Sequence, residues 1–136
     1  MVTTLTGTFG SKCITICIHD LSLFLLEISD VQVVTFQGTV KQTLNFLPTE
    51  GDPITIYIGG EYLTVGTLSG YIKVWHVARR EPKLHHPAFK ITDAVGNFGE
   101  IIQAKNNKIG SKVAFTVAQV LAIEKSKMSV INIYPA

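Results

Sequence analysis

The sequence predicts an all-β fold, and three observations carry that prediction. Tyr71-Ile72-Lys73-Val74-Trp75-His76-Val77 is reached through Gly66-Thr67-Leu68-Ser69-Gly70, which reads as a strand, a tight turn and a second alternating strand. About 41 residues upstream, Val31-Gln32-Val33-Val34-Thr35-Phe36 holds the same place after its own apolar strand. Downstream, Ser129-Val130-Ile131-Asn132-Ile133-Tyr134 repeats the pattern after a longer gap. This recurrence falls at the roughly 40–45-residue period of WD-type units, each a four-stranded sheet. The chain is therefore expected to form about three blades of a WD40-type β-propeller. They make an open, incomplete ring, since closure takes about 4–8 blades.

The first blade is expected over about residues 3–36. The Thr-rich segment 3–9 supplies an outer strand, and Gly10-Ser11 turns the chain. Ile14, Ile16 and Ile18 alternate with small or polar residues, which favours a strand over a helix. Asp20 is a turn. The apolar run 21–28 has the length of a strand and is bounded by Asp20 and Ser29-Asp30. The second blade is expected over about 40–77, with residues 40–46 as its outer strand. Glu50-Gly51-Asp52-Pro53 is loop chemistry, because Gly and Pro resist continuing a ladder. Strands follow at 54–58, 62–67 and 71–77, with Gly59-Gly60 between the first two. The third blade is expected over about 88–134, with 88–91 as its outer strand and inner strands at 100–105, 111–117 and 129–134. Asn106-Asn107-Lys108-Ile109-Gly110 is the turn between the first two of these inner strands, and 118–127 is a long connection with room for a helical stretch. Trp75, Val74, Ile72, Phe36 and Tyr134 are the expected core.

A chain of 136 residues with 46% hydrophobic content can bury a core, yet only 16% of its residues are charged, below the roughly 25% usual for soluble domains. So little charge suits a slab cut from a larger body, in which missing blades cover the sheet faces. The net charge of +2 and the lack of a basic stripe argue against nucleic acid. The N-terminus lacks the basic region of a signal peptide. His19, Asp20 and Glu27 interrupt the run 14–28, which leaves it short of a membrane span.

Sites for chemistry are not expected: no catalytic residue, no cofactor and no metal. Cys13 and Cys17 sit four apart in a strand, roughly 13 Å at about 3.3 Å per residue. That is too far for a disulfide, so both read as buried free thiols. His19, His76, His85 and His86 lack the paired spacing of zinc sites and read as solvent-facing histidines. Ile109-Gly110-Ser111-Lys112 ends like a phosphate loop, but the spacing of its Gly, Lys and Ser fails. The one concentrated charge feature is Arg79-Arg80-Glu81-Pro82-Lys83 with His85-His86. It reads either as a solvated connection between blades or as a partner-binding loop, with Arg79, Arg80, Lys83 and His85 facing an acidic partner or anionic lipid headgroups.

The stretch from Val31 to Gln42, which includes Gln37-Gly38-Thr39-Val40-Lys41-Gln42, resembles the intraflagellar transport protein 140 family, WD-repeat subunits of the ciliary transport complex A. The resemblance continues through Thr49-Glu50-Gly51-Asp52-Pro53, through Gly60-Glu61-Tyr62-Leu63-Thr64-Val65-Gly66-Thr67 and into Arg79-Arg80-Glu81, and covers about residues 12–136. It implies a fragment of the second of two N-terminal propellers, with a helical-repeat tail further along the family's chains. It also implies a non-enzymatic scaffold at the cilium and basal body, on the cytoplasmic face. Such a scaffold supports retrograde transport, cilium assembly and ciliary entry of membrane proteins. The implied partners are the other subunits of intraflagellar transport complex A and a ciliary cargo adaptor. The alternative is a WD-repeat scaffold of another assembly, a coat-like complex or a ubiquitin-ligase adaptor. The WD pattern itself is degenerate: Trp75-His76 stands where Trp-Asp is usual, Ser69-Gly70 replaces the turn Asp, and the third blade closes on Tyr134-Pro135.

Overall fold

The computed structural model describes residues 15–78, 81–91, 101–118 and 126–132. All the regular structure among them is strand: β1 (Thr15–His19), β2 (Ser22–Leu26), β3 (Val31–Thr35), β4 (Val40–Leu44), β5 (Pro53–Gly59), β6 (Tyr62–Thr67), β7 (Tyr71–His76), β8 (Lys83–Lys90), β9 (Ile101–Asn106), β10 (Lys112–Ala118) and β11 (Ser126–Asn132). They form three antiparallel sheets, β1-β2-β3-β4, β5-β6-β7-β8 and β11-β10-β9. The chain is an all-β, incomplete propeller.

Consecutive strands pair because the turns between them are short. Asp20 takes a positive φ of 54° in the β1–β2 turn, a conformation that Asp tolerates better than most side chains. Ser22 pairs with His19 across that turn, and Leu26 with Thr15 at the far end.

The grouping of strands differs from the expected blades by one strand. Val40–Leu44 was expected to open the second blade; instead Val31 pairs with Leu44 and Val34 with Val40, which closes the first sheet. The physical reason is proximity. Gly38 N donates to the Thr35 carbonyl at 3.0 Å and Thr35 N to the Thr39 carbonyl at 2.9 Å, so the chain folds straight back on β3. The fourth strand of the second sheet is likewise β8, where residues 78–87 were expected as a surface connection. Its polar sequence conceals it. Pro87, which lacks a donor, is tolerated because β8 is a sheet edge and the β7–β8 register is bulged. The segments 3–9 and 92–98 and the residues Cys13 and Tyr134 lie outside the described residues. Residues 119–125 of the expected long connection lie outside the described residues, and its ends are strand: Ala118 closes β10, and Ser126 and Lys127 open β11.

The three sheets stack face to face. Strands β6 and β7 of the middle sheet send alternate side chains to opposite neighbours, as the period of two requires. Leu63, Val65, Trp75 and Val77 join Phe24, Leu26, Val31, Val33 and Leu44 of the first sheet in one core. Ile72 and Val74 join Ile101, Ala104, Val113, Phe115, Val117 and Ile131 of the third sheet in another. Gly66 belongs to this second contact: a Cβ there would sit 3.1 Å from Ile101. Phe36 lies partly buried beside Leu23, Leu25 and Val34 on the outward side of the first sheet. The outer members of the stack keep large aliphatics in solvent, Ile16, Ile18 and Val40 on the first sheet and Ile102 and Val130 on the third.

Trp75 is 6% exposed and meets Phe46 edge-on, with ring centroids 5.6 Å apart at 75°. Trp75→Ala is expected to destabilise the chain by about 3–5 kcal/mol, the range for deleting a large core aromatic. Chemical denaturation of both proteins checks this. Wild-type indole emission should also be that of a buried ring, and a solvated emission maximum contradicts the packing.

Candidate interaction surface

The turns of the stack emerge at its two ends. At one end lie the β5–β6 turn, the β9–β10 turn and the start of the β7–β8 connection. Val77 N donates to the Glu61 carbonyl at 2.9 Å, which ties that connection to the Gly60-Glu61 turn. Of the charged residues picked out in the sequence, Arg79 and Arg80 lie outside the described residues. Lys83 opens β8 opposite His76 and is exposed.

His85 corrects the reading of a solvent-facing loop histidine. It is part of β8, and its Nε2 lies 2.9 Å from the Gly110 carbonyl oxygen. Because a carbonyl only accepts, Nε2 carries a proton. The His85 ring is 4.6 Å from that of Tyr62, whose other ring neighbour is His76 at 5.0 Å and 28°. His76 Nε2 reaches Glu61 Oε2 at 3.4 Å. Gly110 makes this packing available: a Cβ there would come within 2.7 Å of the Tyr62 ring, and its φ of 70° suits glycine. The structure thus brings Tyr62, His76 and His85 together as a clamp between the second and third sheets. Beside it a shallow depression of about 390 Å³ is lined by Gly60, Glu61, Tyr62, Lys108 and Ile109.

Two polar joints were not singled out in the sequence. In the first, Thr64 Oγ1 donates to Asn106 Oδ1 at 2.8 Å, and Asn106 Nδ2 donates to the Gly59 carbonyl at 2.8 Å. Thr64 and Asn106 are both buried, so this amide cross-links the inner strands of neighbouring sheets. Gly59 permits the approach, since a Cβ would lie 2.7 Å from the Asn106 carbonyl oxygen. Asn107 next to it shapes the turn, accepting from Ser111 N at 2.9 Å and Lys112 N at 3.0 Å.

The second joint is ionic. Lys73 Nζ lies 3.1 Å from Glu50 Oε1 with both side chains nearly covered. The ammonium also sits 5.1 Å from the Phe46 ring centroid and 5.2 Å from that of Trp75, a cation–π arrangement. Leu47 N donates to the same carboxylate oxygen at 2.8 Å. Thr67 Oγ1 donates to the Glu50 carbonyl, and Tyr71 N donates to Thr67 Oγ1 at 3.0 Å. This network orders the turn that lacks the WD-type Asp. The available signal was Lys73 itself, a charge inside the otherwise apolar run from Tyr71 to Trp75. A buried ammonium requires a carboxylate nearby.

Cys17 is half-buried on the face that meets the second sheet. Burial pushes its thiol above the ordinary value of 9.0, against a smaller lowering by a backbone hydrogen bond at Ile58. The folded state therefore prefers the neutral thiol. Its contribution is fully present below the unfolded pKa and is lost as pH rises through the raised folded value. Denaturation at neutral pH and near pH 10 should show a steeper loss of stability in the wild type than in Cys17→Ala. Identical slopes contradict the burial of this thiol.

Among the described residues no group of three or more His, Cys, Asp or Glu side chains is placed to hold a metal ion. No helix among them is long and apolar enough to cross a membrane. What the geometry offers is a rigid stack with turns at both ends, suited to contact with other polypeptide. A family model described as the IFT140 second beta-propeller matches residues 1–134 of this chain. The chain belongs to that family.

Proposed function

We propose that this chain is a non-enzymatic scaffold segment of an intraflagellar transport complex A subunit, and that its turns are presented to neighbouring subunits. The observation that carries this reading is the family match across residues 1–134. In this reading residues 1–136 form one partial propeller whose three blades are built on the three sheets. The segment works at the cilium and basal body, on the cytoplasmic face, in retrograde transport, cilium assembly and ciliary entry of membrane proteins. Its partners are other complex A subunits and a ciliary cargo adaptor, and missing blades of the full-length chain complete the ring.

The structure supports a scaffold in a second way. The buried polar side chains of the middle sheet hold the stack together: Lys73 is engaged by Glu50, and Thr64 by Asn106. The interaction loop is assigned to Arg79 and Arg80 with Lys83. The guanidinium forks suit carboxylate or phosphate partners. His85 contributes by anchoring β8 to Gly110, which fixes where that loop leaves the sheet.

Reversing Arg79 and Arg80 to Glu should leave folding intact, because solvated charges add little to stability. In pull-downs from ciliated cells it should reduce recovery of other complex A subunits or of a membrane-cargo adaptor, more at low salt than at high salt. Unchanged recovery of every partner at all salt concentrations removes the loop from the interface.

A further inference from the structure

The opposite end of the stack has a different chemistry. It carries the β2–β3 turn, the β4–β5 loop and the β6–β7 turn, and each presents one large aliphatic to solvent: Ile28 at 54%, Leu47 at 62% and Leu68 at 50% exposure. These turns are neighbours. Val31 pairs with Leu44, which sets Asp30 beside Asn45 at the start of the β4–β5 loop. Leu68 N donates to the Asp52 carbonyl at 2.8 Å, and Gly51 packs on Ser69.

The same three segments carry Glu27, Asp30 and Asp52. Among the described residues none of these carboxylates forms an ion pair, whereas Glu50 is neutralised by Lys73. Asp30 Oδ1 is buried and has no hydrogen-bond partner among the described residues, so it takes no part in a surface contact. Lys90, opposite Tyr71 on β8, and Lys127, opposite Val117 on β11, also stand toward this end, both on strands rather than on the three turns that carry the carboxylates. Lys41, Lys83, Lys108 and Lys112 lie toward the other end, near the turns that follow β1, β3, β7 and β9. The chain as a whole is +2, so the acidic character is local.

We propose that this end is a docking surface for a basic, apolar segment of a partner protein. Ile28, Leu47 and Leu68 supply the apolar contact, and Glu27 and Asp52 pair with its Lys or Arg side chains. Three protruding aliphatics set among carboxylates match the apolar centre and polar rim of a protein interface. The carboxylates repel anionic lipid and nucleic acid and steer a cationic segment inward. The Glu50–Lys73 and Thr67–Glu50 contacts hold the β4–β5 loop, so Leu47 and Leu68 sit on a scaffold ordered before binding, which lowers the entropic cost of association. This surface is separate from the Arg79-Arg80 loop, and either assignment can fail without the other.

The test immobilises the biotinylated chain and measures binding of a short synthetic amphipathic peptide of Lys and Leu, beside a matched peptide of Glu and Leu. The Lys–Leu peptide should bind, more weakly as salt rises, and the Glu–Leu peptide should not. Glu27→Lys with Asp52→Lys should weaken binding about tenfold, and Leu47→Ser with Leu68→Ser by a similar factor. Lys112→Glu, at the other end, should leave the affinity unchanged. Failure of the Lys–Leu peptide to bind, equal binding of both peptides, or undiminished binding by either double variant overturns the proposal.

Discussion

Everything in this structure depends on the middle sheet being buried on both faces at once. A strand covered on one side alternates between apolar and polar residues; one covered on both sides must satisfy two neighbours with successive side chains. Strand β7 does so with Ile72 and Val74 toward the third sheet and Trp75 toward the first. Strand β6 does it with Leu63 and Val65 on one side and Thr64 on the other. The outer sheets have no direct need of each other. They are held in common by the residues of β5, β6 and β7.

That double burial explains why the polar groups between the sheets are few and fully used. A buried ammonium is tolerable only with a partner, and Lys73 has Glu50 together with two aromatic faces. Asn106 uses its oxygen for Thr64 and its nitrogen for Gly59 and Asn107. Both groups also fix register, because a one-residue slip in β7 or β9 would turn them to the wrong face. With these side chains committed to assembly, the surfaces left for recognition are the turns. The turns at the two ends differ in charge.

The positions of the strands were legible because period-two alternation and Gly- or Asp-bearing turns are local signals. Tyr62–Thr67 coincides with its expected bounds and β7 ends one residue early, at His76. The assignment of fourth strands was not legible. Residues 40–44 pair backward with β3 because of a tight turn at 36–39, and no local pattern says which neighbour an outer strand will choose. Lys83-Leu84-His85-His86-Pro87 looks like a loop by composition, and only the edge position of β8 accommodates it as a strand. The site residues were legible in part. His85 was noticed for its charge, yet its role depends on Gly110, distant in sequence. Glu50, Lys73, Thr64 and Asn106 were passed over since their pairing spans sheets.

The central claim, that the doubly buried middle sheet holds the stack, is tested most directly by native-state hydrogen exchange resolved by residue. The account predicts that amides of Leu63, Val65, Ile72, Val74 and Trp75 exchange slowest, through global unfolding, while β1 opens at lower free energy. Amides of β7 exchanging as fast as those of β1 would contradict it.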